Sequence, residues 1–240
     1  MNFHRSCLAV MLFATMIAVG SAFADCSDAS VKGAYGVSLA GSFNGEPSVI
    51  VGQFVFDGEG KVTFAYTIST NGGIGHQSPI STFYGVKANC TGNINLTFDF
   101  VLDNNNKGFQ MVFDYPPSRY SGYGVAQDAS NCSSHQGMRT FAASLSGMIV
   151  GAGDVGIIGP LNIDGNGNIT GSGTGYLLTG SWSGSITGTY TRNANCTGTA
   201  KITPQGLGPM TFNTVEVNNG KEVLLIETDN RSLVTGTLQQ

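Results

Sequence analysis

The motif with the most specific chemical meaning in this chain is Gly151-Ala152-Gly153-Asp154-Val155-Gly156, which has the spacing of a dinucleotide fingerprint and follows the apolar run Met148-Ile149-Val150. Such glycines bring backbone amides against a pyrophosphate held at a helix N-terminus. The chain instead continues Ile157-Ile158-Gly159-Pro160, a poor helix start, so a turn between strands is expected and no nucleotide site. Acyl transfer by serine needs a histidine base and an orienting acid. Beyond the first 24 residues there are only His76 and His135, both in polar stretches that read as loops. Gly180-Ser181-Trp182-Ser183-Gly184 puts tryptophan where a nucleophile elbow has serine. Asp57-Gly58-Glu59-Gly60 and Asp164-Gly165-Asn166-Gly167 hint at calcium, but one or two carboxylates fall short of the six or so oxygens that ion takes. Tight turns explain them. Paired acids for glycoside hydrolysis would have to come from residues such as Glu46, Glu59, Asp99, Asp103 or Asp114. Asp99 and Asp114 alternate with Phe98, Phe100, Phe113 and Tyr115 and so should face solvent. No catalytic set, metal ligand set or cofactor motif survives. The Asn-x-Ser/Thr tripeptides at Asn89, Asn95, Asn131, Asn168, Asn195 and Asn230 are expected by-products of strands rich in Asn and Thr.

The scaffold begins with an export signal. His4 and Arg5 precede an apolar run from Cys7 to Val19, and Ala22-Phe23-Ala24 has the small-x-small pattern of a cleavage site. Residues 1–24 are therefore expected to be removed near Ala24-Asp25, leaving a secreted or periplasmic protein. No later stretch reaches the roughly 18 apolar residues of a membrane-spanning helix. After cleavage the chain carries ten basic and fifteen acidic side chains, a formal charge of −5. With no Lys/Arg cluster, nucleic acid and anionic membrane surfaces are excluded as partners. Gly, Ser, Thr and Asn replace charged residues, which disfavours helices.

Four cysteines remain, and Cys26 to Cys90 and Cys132 to Cys196 are both separated by 64 residues. The equality exposes an internal repeat at an offset of about 106. Tyr84 to Gly92 lies over Tyr190 to Gly198, Ser38-Leu39-Ala40-Gly41 over Ser144-Leu145-Ser146-Gly147, and, one residue further on, Asp57-Gly58 over Asp164-Gly165. At the ends, Arg119 and Gln127 match Arg231 and Gln239. Two copies are expected, at 25–131 and 132–240. Four cysteines allow three pairings; copies that fold as units give Cys26–Cys90 and Cys132–Cys196. Each bridge would contribute roughly 4 kcal/mol through the unfolded state.

Short alternating runs separated by turn signals predict strands at 33–43, 51–56, 61–67, 80–89, 92–102, 108–115 and 119–127, with counterparts in the second copy ending at 223–229 and 232–239. Asp57-Gly58, Asp164-Gly165 and Asn219-Gly220 mark hairpins. The fold class is all-β: two tandem antiparallel barrels, or sandwich-like units, of seven to eight strands each.

Tyr35-Gly36-Val37-Ser38-Leu39-Ala40-Gly41 after Cys26, Phe56-Asp57-Gly58-Glu59-Gly60, and Asn89-Cys90-Thr91-Gly92 together resemble a group of exported bacterial two-repeat β proteins of unassigned activity. At the level of strand count alone the copies are similar to the barrels of lipocalins and allene oxide cyclases. That likeness implies a barrel and no catalytic residue.

The copies differ most in their rings. Fifteen aromatic residues fall in the first and five in the second. Phe54 and Phe56, Phe64 and Tyr66, Phe98 and Phe100, and Phe113 and Tyr115 share strand parity, whereas Gly171 and Gly173 replace Phe64 and Tyr66 in the second copy. These rings either fill the first barrel or line a cavity for an apolar molecule or glycan, with Arg119, Tyr120 and Tyr123 as polar contacts at one rim. A non-catalytic binding or surface module is the reading that needs no missing chemistry. A matrix-type surface protein with filled barrels and a lipid-directed barrel isomerase are its alternatives.

Overall fold

The computed structural model describes residues 25–103, 105–128, 132, 137–178 and 180–240. The export signal, Asn131 and His135 lie outside the described residues. The first copy forms β1 (Gly33–Phe43), β2 (Glu46–Phe56), β3 (Lys61–Thr70), β4 (Gly73–Val86), β5 (Thr91–Ile94), β6 (Phe98–Leu102), β7 (Gly108–Tyr115) and β8 (Ser118–Ala126). The second forms β9 (Arg139–Ile149), β10 (Gly153–Ile163), β11 (Asn168–Leu178), β12 (Gly180–Arg192), β13 (Thr197–Pro204), β14 (Met210–Val217), β15 (Glu222–Glu227) and β16 (Thr235–Gln239). Each set is antiparallel and closes on itself, β8 onto β1 and β16 onto β9. The chain is therefore an all-β protein of two eight-stranded barrels.

Turn chemistry accounts for the register. Asp57 Oδ1 accepts from the backbone N–H of Glu59 (2.7 Å) and Lys61 (2.9 Å), and Asp164 Oδ1 accepts from Asn166 (2.9 Å) and Asn168 (2.8 Å). The Asn168 side-chain amide, which donates to Asp164 Oδ2 (2.8 Å), and then the backbone bonds hold the Asp164 carboxyl below the usual carboxylate range, and the backbone bonds do the same for Asp57. The repeated Asn-Cys-Thr is a turn as well. Cys90 and Cys196 both stand at φ 64°, and Asn89 and Asn195 close the bend through bonds from Thr91 and Thr197. Gly151-Ala152-Gly153 is the β9–β10 hairpin, with no helix after it. The single strand expected at 92–102 is instead β5 and β6, broken at Asn95 and Leu96, which both take positive φ. His76 is on β4, not in a loop, and its Nδ1 lies 3.2 Å from Thr67 Oγ1. The strand pairing also moves one sequence match: Gly36 pairs with Val125 and its counterpart Ala142 with Gln239, so Gln239 corresponds to Val125 and not to Gln127.

The bridges are Cys26–Cys90 and Cys132–Cys196, with Cα atoms 5.0 and 4.9 Å apart. Two disulfides belong to an oxidising, extracytoplasmic compartment. No described helix is long and apolar enough to cross a membrane.

The two barrels are docked. Val51 of β2 packs with Val215, Val217, Leu224 and Ile226 of β14 and β15, and Val49, Tyr123 and Val125 join the cluster. Gln53 Nε2 donates to Asn195 O (2.7 Å), Gln127 Nε2 to Glu216 O (2.7 Å), and Asn213 Nδ2 to Thr67 Oγ1 (2.8 Å). A Cβ on Gly36 would overlap the methyl groups of Val217 and Val215. Gly36→Val should therefore cost about 1–3 kcal/mol and separate the barrels. Calorimetry is expected to resolve two unfolding transitions in that variant where the parent shows one.

Candidate functional site

Strand parity sends Tyr35, Phe54, Phe56, Tyr84, Phe100 and Phe109 into the first barrel, all buried. Phe56 and Tyr84 meet edge to face, 4.9 Å apart at 85°, and Tyr35 and Phe109 lie 5.3 Å apart, tilted at 47°. Beneath them the turn at Asp28–Val31 plugs one end of the barrel. Val31 is fully buried, Tyr84 Oη donates to Asp28 O (2.9 Å), and Asp28 Oδ1 accepts from Val86 N–H (2.7 Å).

The other end is different. Phe64, Tyr66, Phe98 and Phe113 also point inward but remain half-buried. Phe64 and Tyr66 stack at 16°, Phe54 and Phe64 lie 5.3 Å apart, and Phe98 and Phe113 lie 4.6 Å apart. Tyr120 sits among them, with its hydroxyl donating to Ser48 Oγ (3.0 Å), which donates in turn to Ser69 O (3.0 Å). Burial pushes the hydroxyls of Tyr66 and Tyr120 up from their ordinary value, so both stay neutral hydrogen-bonding groups at physiological pH.

The wall is also incomplete here. β5 pairs only with Tyr84, Gly85 and Val86 of β4, while β4 runs on along β3 to Gly73. Ile80 pairs with Phe64 and faces the interior, yet is exposed because no strand lies beyond it. Gln77, opposite Tyr66, shares that face. The second barrel closes the equivalent end. Register makes Gly175 the counterpart of Ile68, so Trp182, opposite Gly175, stands where the first barrel has Gly75. The Trp182 ring covers Gly173 together with Ile157 and Ile186.

The ten ring and rim residues expected from sequence are thus distributed over three places. Phe54, Phe56 and Phe100 form the core. Phe64, Tyr66, Phe98, Phe113 and Tyr120 converge at the unplugged end. Arg119 and Tyr123 point the opposite way from Tyr120: Arg119 Nε pairs with Asp114 at 3.0 Å on the surface, and Tyr123 packs in the seam between the barrels.

Sequence reasoning missed two inward acids, Glu216 and Glu227, both buried in the second barrel. Glu216 is neutralised by Arg139, whose Nη1 lies 2.7 Å from Oε1, and by the guanidinium of Arg192. That triad is an ion-pair hub and leaves no free base. Glu227 Oε2 accepts from Ser232 Oγ at 2.6 Å. Burial, reinforced by the charge of Asp229, pushes its carboxyl from 4.5 up to about 7, against the Ser232 bond. The folded protein therefore keeps a proton that the unfolded chain has released, and stability falls as pH rises between 4.5 and about 7. Urea unfolding at pH 5 and pH 8 should show this loss, up to about 3 kcal/mol, and Glu227→Gln should abolish most of it. Among the described residues no three His, Cys, Asp or Glu side chains group as a metal site.

The class this geometry defines is a disulfide-bonded protein of two docked eight-stranded barrels, one of them open at an aromatic end. No protein-family model and no curated protein matches the chain. Among solved structures it is similar to isotype 1 transferrin binding protein B from serogroup B Neisseria meningitidis, at 8% identity over 88% of this chain and 75% of that one, with a TM-score of 0.38.

Proposed function

We propose that this is an exported, non-catalytic binding protein, released by cleavage near Ala24-Asp25, whose first barrel holds a small apolar molecule or the apolar face of a sugar. The observation that carries the reading is the set of half-buried inward rings, Phe64, Tyr66, Phe98 and Phe113, at the end of the barrel that has no plug. Apolar walls with a few polar anchors are what small-molecule sites offer, and Tyr120 and Gln77 supply those anchors. Tight ring packing below leaves the ligand at the mouth rather than in the depth of the barrel.

The second barrel suggests the test. Gly75 is free of positive φ, and a Cβ there would meet only Ile68 Cγ2, at 3.1 Å. Gly75→Trp should cap the mouth as Trp182 does its own barrel. Native mass spectrometry of protein taken from its export compartment is expected to show a stoichiometric small molecule that is released on denaturation. Gly75→Trp should remove it, and Tyr66→Ala should weaken its retention by about tenfold, equivalent to 1.4 kcal/mol. A parent protein that is empty, with both substitutions altering only thermal stability, would overturn the reading.

A further inference from the structure

A chain of hydrogen bonds runs from the aromatic mouth of the first barrel to the interior of the second. At the mouth, Tyr120 Oη donates to Ser48 Oγ and Ser48 Oγ to Ser69 O, each at 3.0 Å. Ser69 points away from its neighbour Ile68 across β3, and its hydroxyl crosses the seam to donate to Ser232 O. Ser232 Oγ in turn donates to Glu227 Oε2 at 2.6 Å. All five residues are at most 6% exposed, so no link is open to solvent.

The far end of that chain is an irregular segment, residues 228–234, which joins β15 to β16. It presses on the hairpin between β3 and β4. Arg231 N–H donates to Gly72 O (2.7 Å), and a Cβ on Gly72 would meet Arg231 Cα at 2.3 Å. Arg231 takes φ 73°, a conformation that a residue with a side chain keeps only where its contacts hold it. The hairpin so held carries Phe64, Tyr66 and Ile68 of the mouth's wall.

Glu227 is where the chain can be broken. Burial first, and then Asp229, push its carboxyl up to about 7 against the bond from Ser232. Asp229 hydrogen-bonds that carboxyl as well as opposing its charge, and is itself fixed by Thr211 N–H (2.8 Å). Among the described residues packed on Glu227, Phe212 opposite it on β14 and Val234 beside it carry no charge. Arg231 turns its guanidinium away, to Val150 O (2.9 Å). Ionised in place, Glu227 faces a second carboxylate in a dry interior. Ionised with residues 228–234 displaced, it is hydrated.

We propose that Glu227 controls the mouth of the first barrel: protonated, it keeps residues 228–234 seated on the β3–β4 hairpin, and its ionisation unseats them and loosens the wall at Phe64 and Tyr66. The seated form binds the extra proton, so seating is favoured at low pH and is lost as pH rises through about 7. On the reading of the mouth as a binding site, an apolar molecule held there is released over the same range.

Hydrogen–deuterium exchange of the mature protein at pH 5 and pH 8, corrected for the intrinsic pH dependence of amide exchange, tests the switch without any ligand. Protection of residues 64–77 is expected to fall by about tenfold or more at the higher pH, beyond any change in β7 and β8 of the same barrel. Glu227→Gln, whose amide can keep the bonds to Ser232 and Asp229, should hold that protection at both pH values. Ser69→Ala cuts the link and leaves the carboxyl, so residues 228–234 should still respond to pH while the response of 64–77 shrinks. Equal protection of 64–77 at both pH values in the parent would overturn the proposal. So would a response that survives in Glu227→Gln and belongs to His76, the imidazole of that hairpin, 3.2 Å from Thr67 Oγ1. The neutral fluorophore N-phenyl-1-naphthylamine separates the switch from the site: the parent should bind it about tenfold more weakly at pH 8 than at pH 5, and Glu227→Gln equally at both. A fluorophore that binds at neither pH counts against the mouth as a site, and the exchange result alone then decides the switch.

Discussion

An eight-stranded barrel encloses about one layer of side chains, and that volume must be filled from the inward positions of its own strands. The two halves of this protein meet the constraint differently. The first uses rings, whose bulk completes the core before the end of the wall is reached, so that Phe64, Tyr66, Phe98 and Phe113 are left as a rim. The second uses Ile, Leu and Val, places glycine at 171 and 173, and brings Trp182 across from the neighbouring strand to close the end. The same fold is thus sealed in one copy and open in the other, and the difference follows from which side chains supply the volume.

Much of this was legible before any coordinates. β1 and β7 fall where alternation puts them, because a one-residue slip would turn the apolar set outward. The break between β5 and β6 was not legible. Asn95 and Leu96 adopt positive φ without a glycine, and tertiary closure of the barrel imposes the bend. The mouth was partly legible, since parity groups its rings correctly. Which rings stay half-exposed depends on where β5 ends relative to β4, a property of pairing and not of composition. Parity likewise separates Tyr120 from Arg119 and Tyr123, which their closeness in sequence conceals.

The inward acids were hidden for a different reason. Val215-Glu216-Val217 alternates in the misleading sense, valines toward the first barrel and acid toward its own interior, and Val223-Leu224-Leu225-Ile226 does not alternate at all, because β14 and β15 are buried on both faces, by their own barrel inside and by the first barrel outside. Continuous apolar runs of this length mark two-sided burial. Such a run therefore locates an interface while erasing the parity that would have shown Glu227 pointing inward, and the same seam inverts the parity around Glu216.

Apolar contact alone does not determine how two barrels sit, because burial of Val51 against Val215 and Leu224 is non-directional. Orientation comes from the polar contacts around it. Gln127, on the segment leaving the first barrel, donates to the main chain of Glu216 and lies 2.6 Å from Gln53, which itself bonds Asn195. Glu216 is in turn held by Arg139 and Arg192, at positions where the first barrel has Leu102, Gly33 and Val86. A buried ion triad is a poor source of net stability compared with an apolar core, and the first barrel does without one. Its value in the second lies in position: it pins β9, β12 and β14 to one another beneath the strand that meets the other barrel. The seam thus joins an apolar patch that supplies affinity to a rigid polar frame that supplies register, and the two copies of one repeat are differentiated most sharply at that frame.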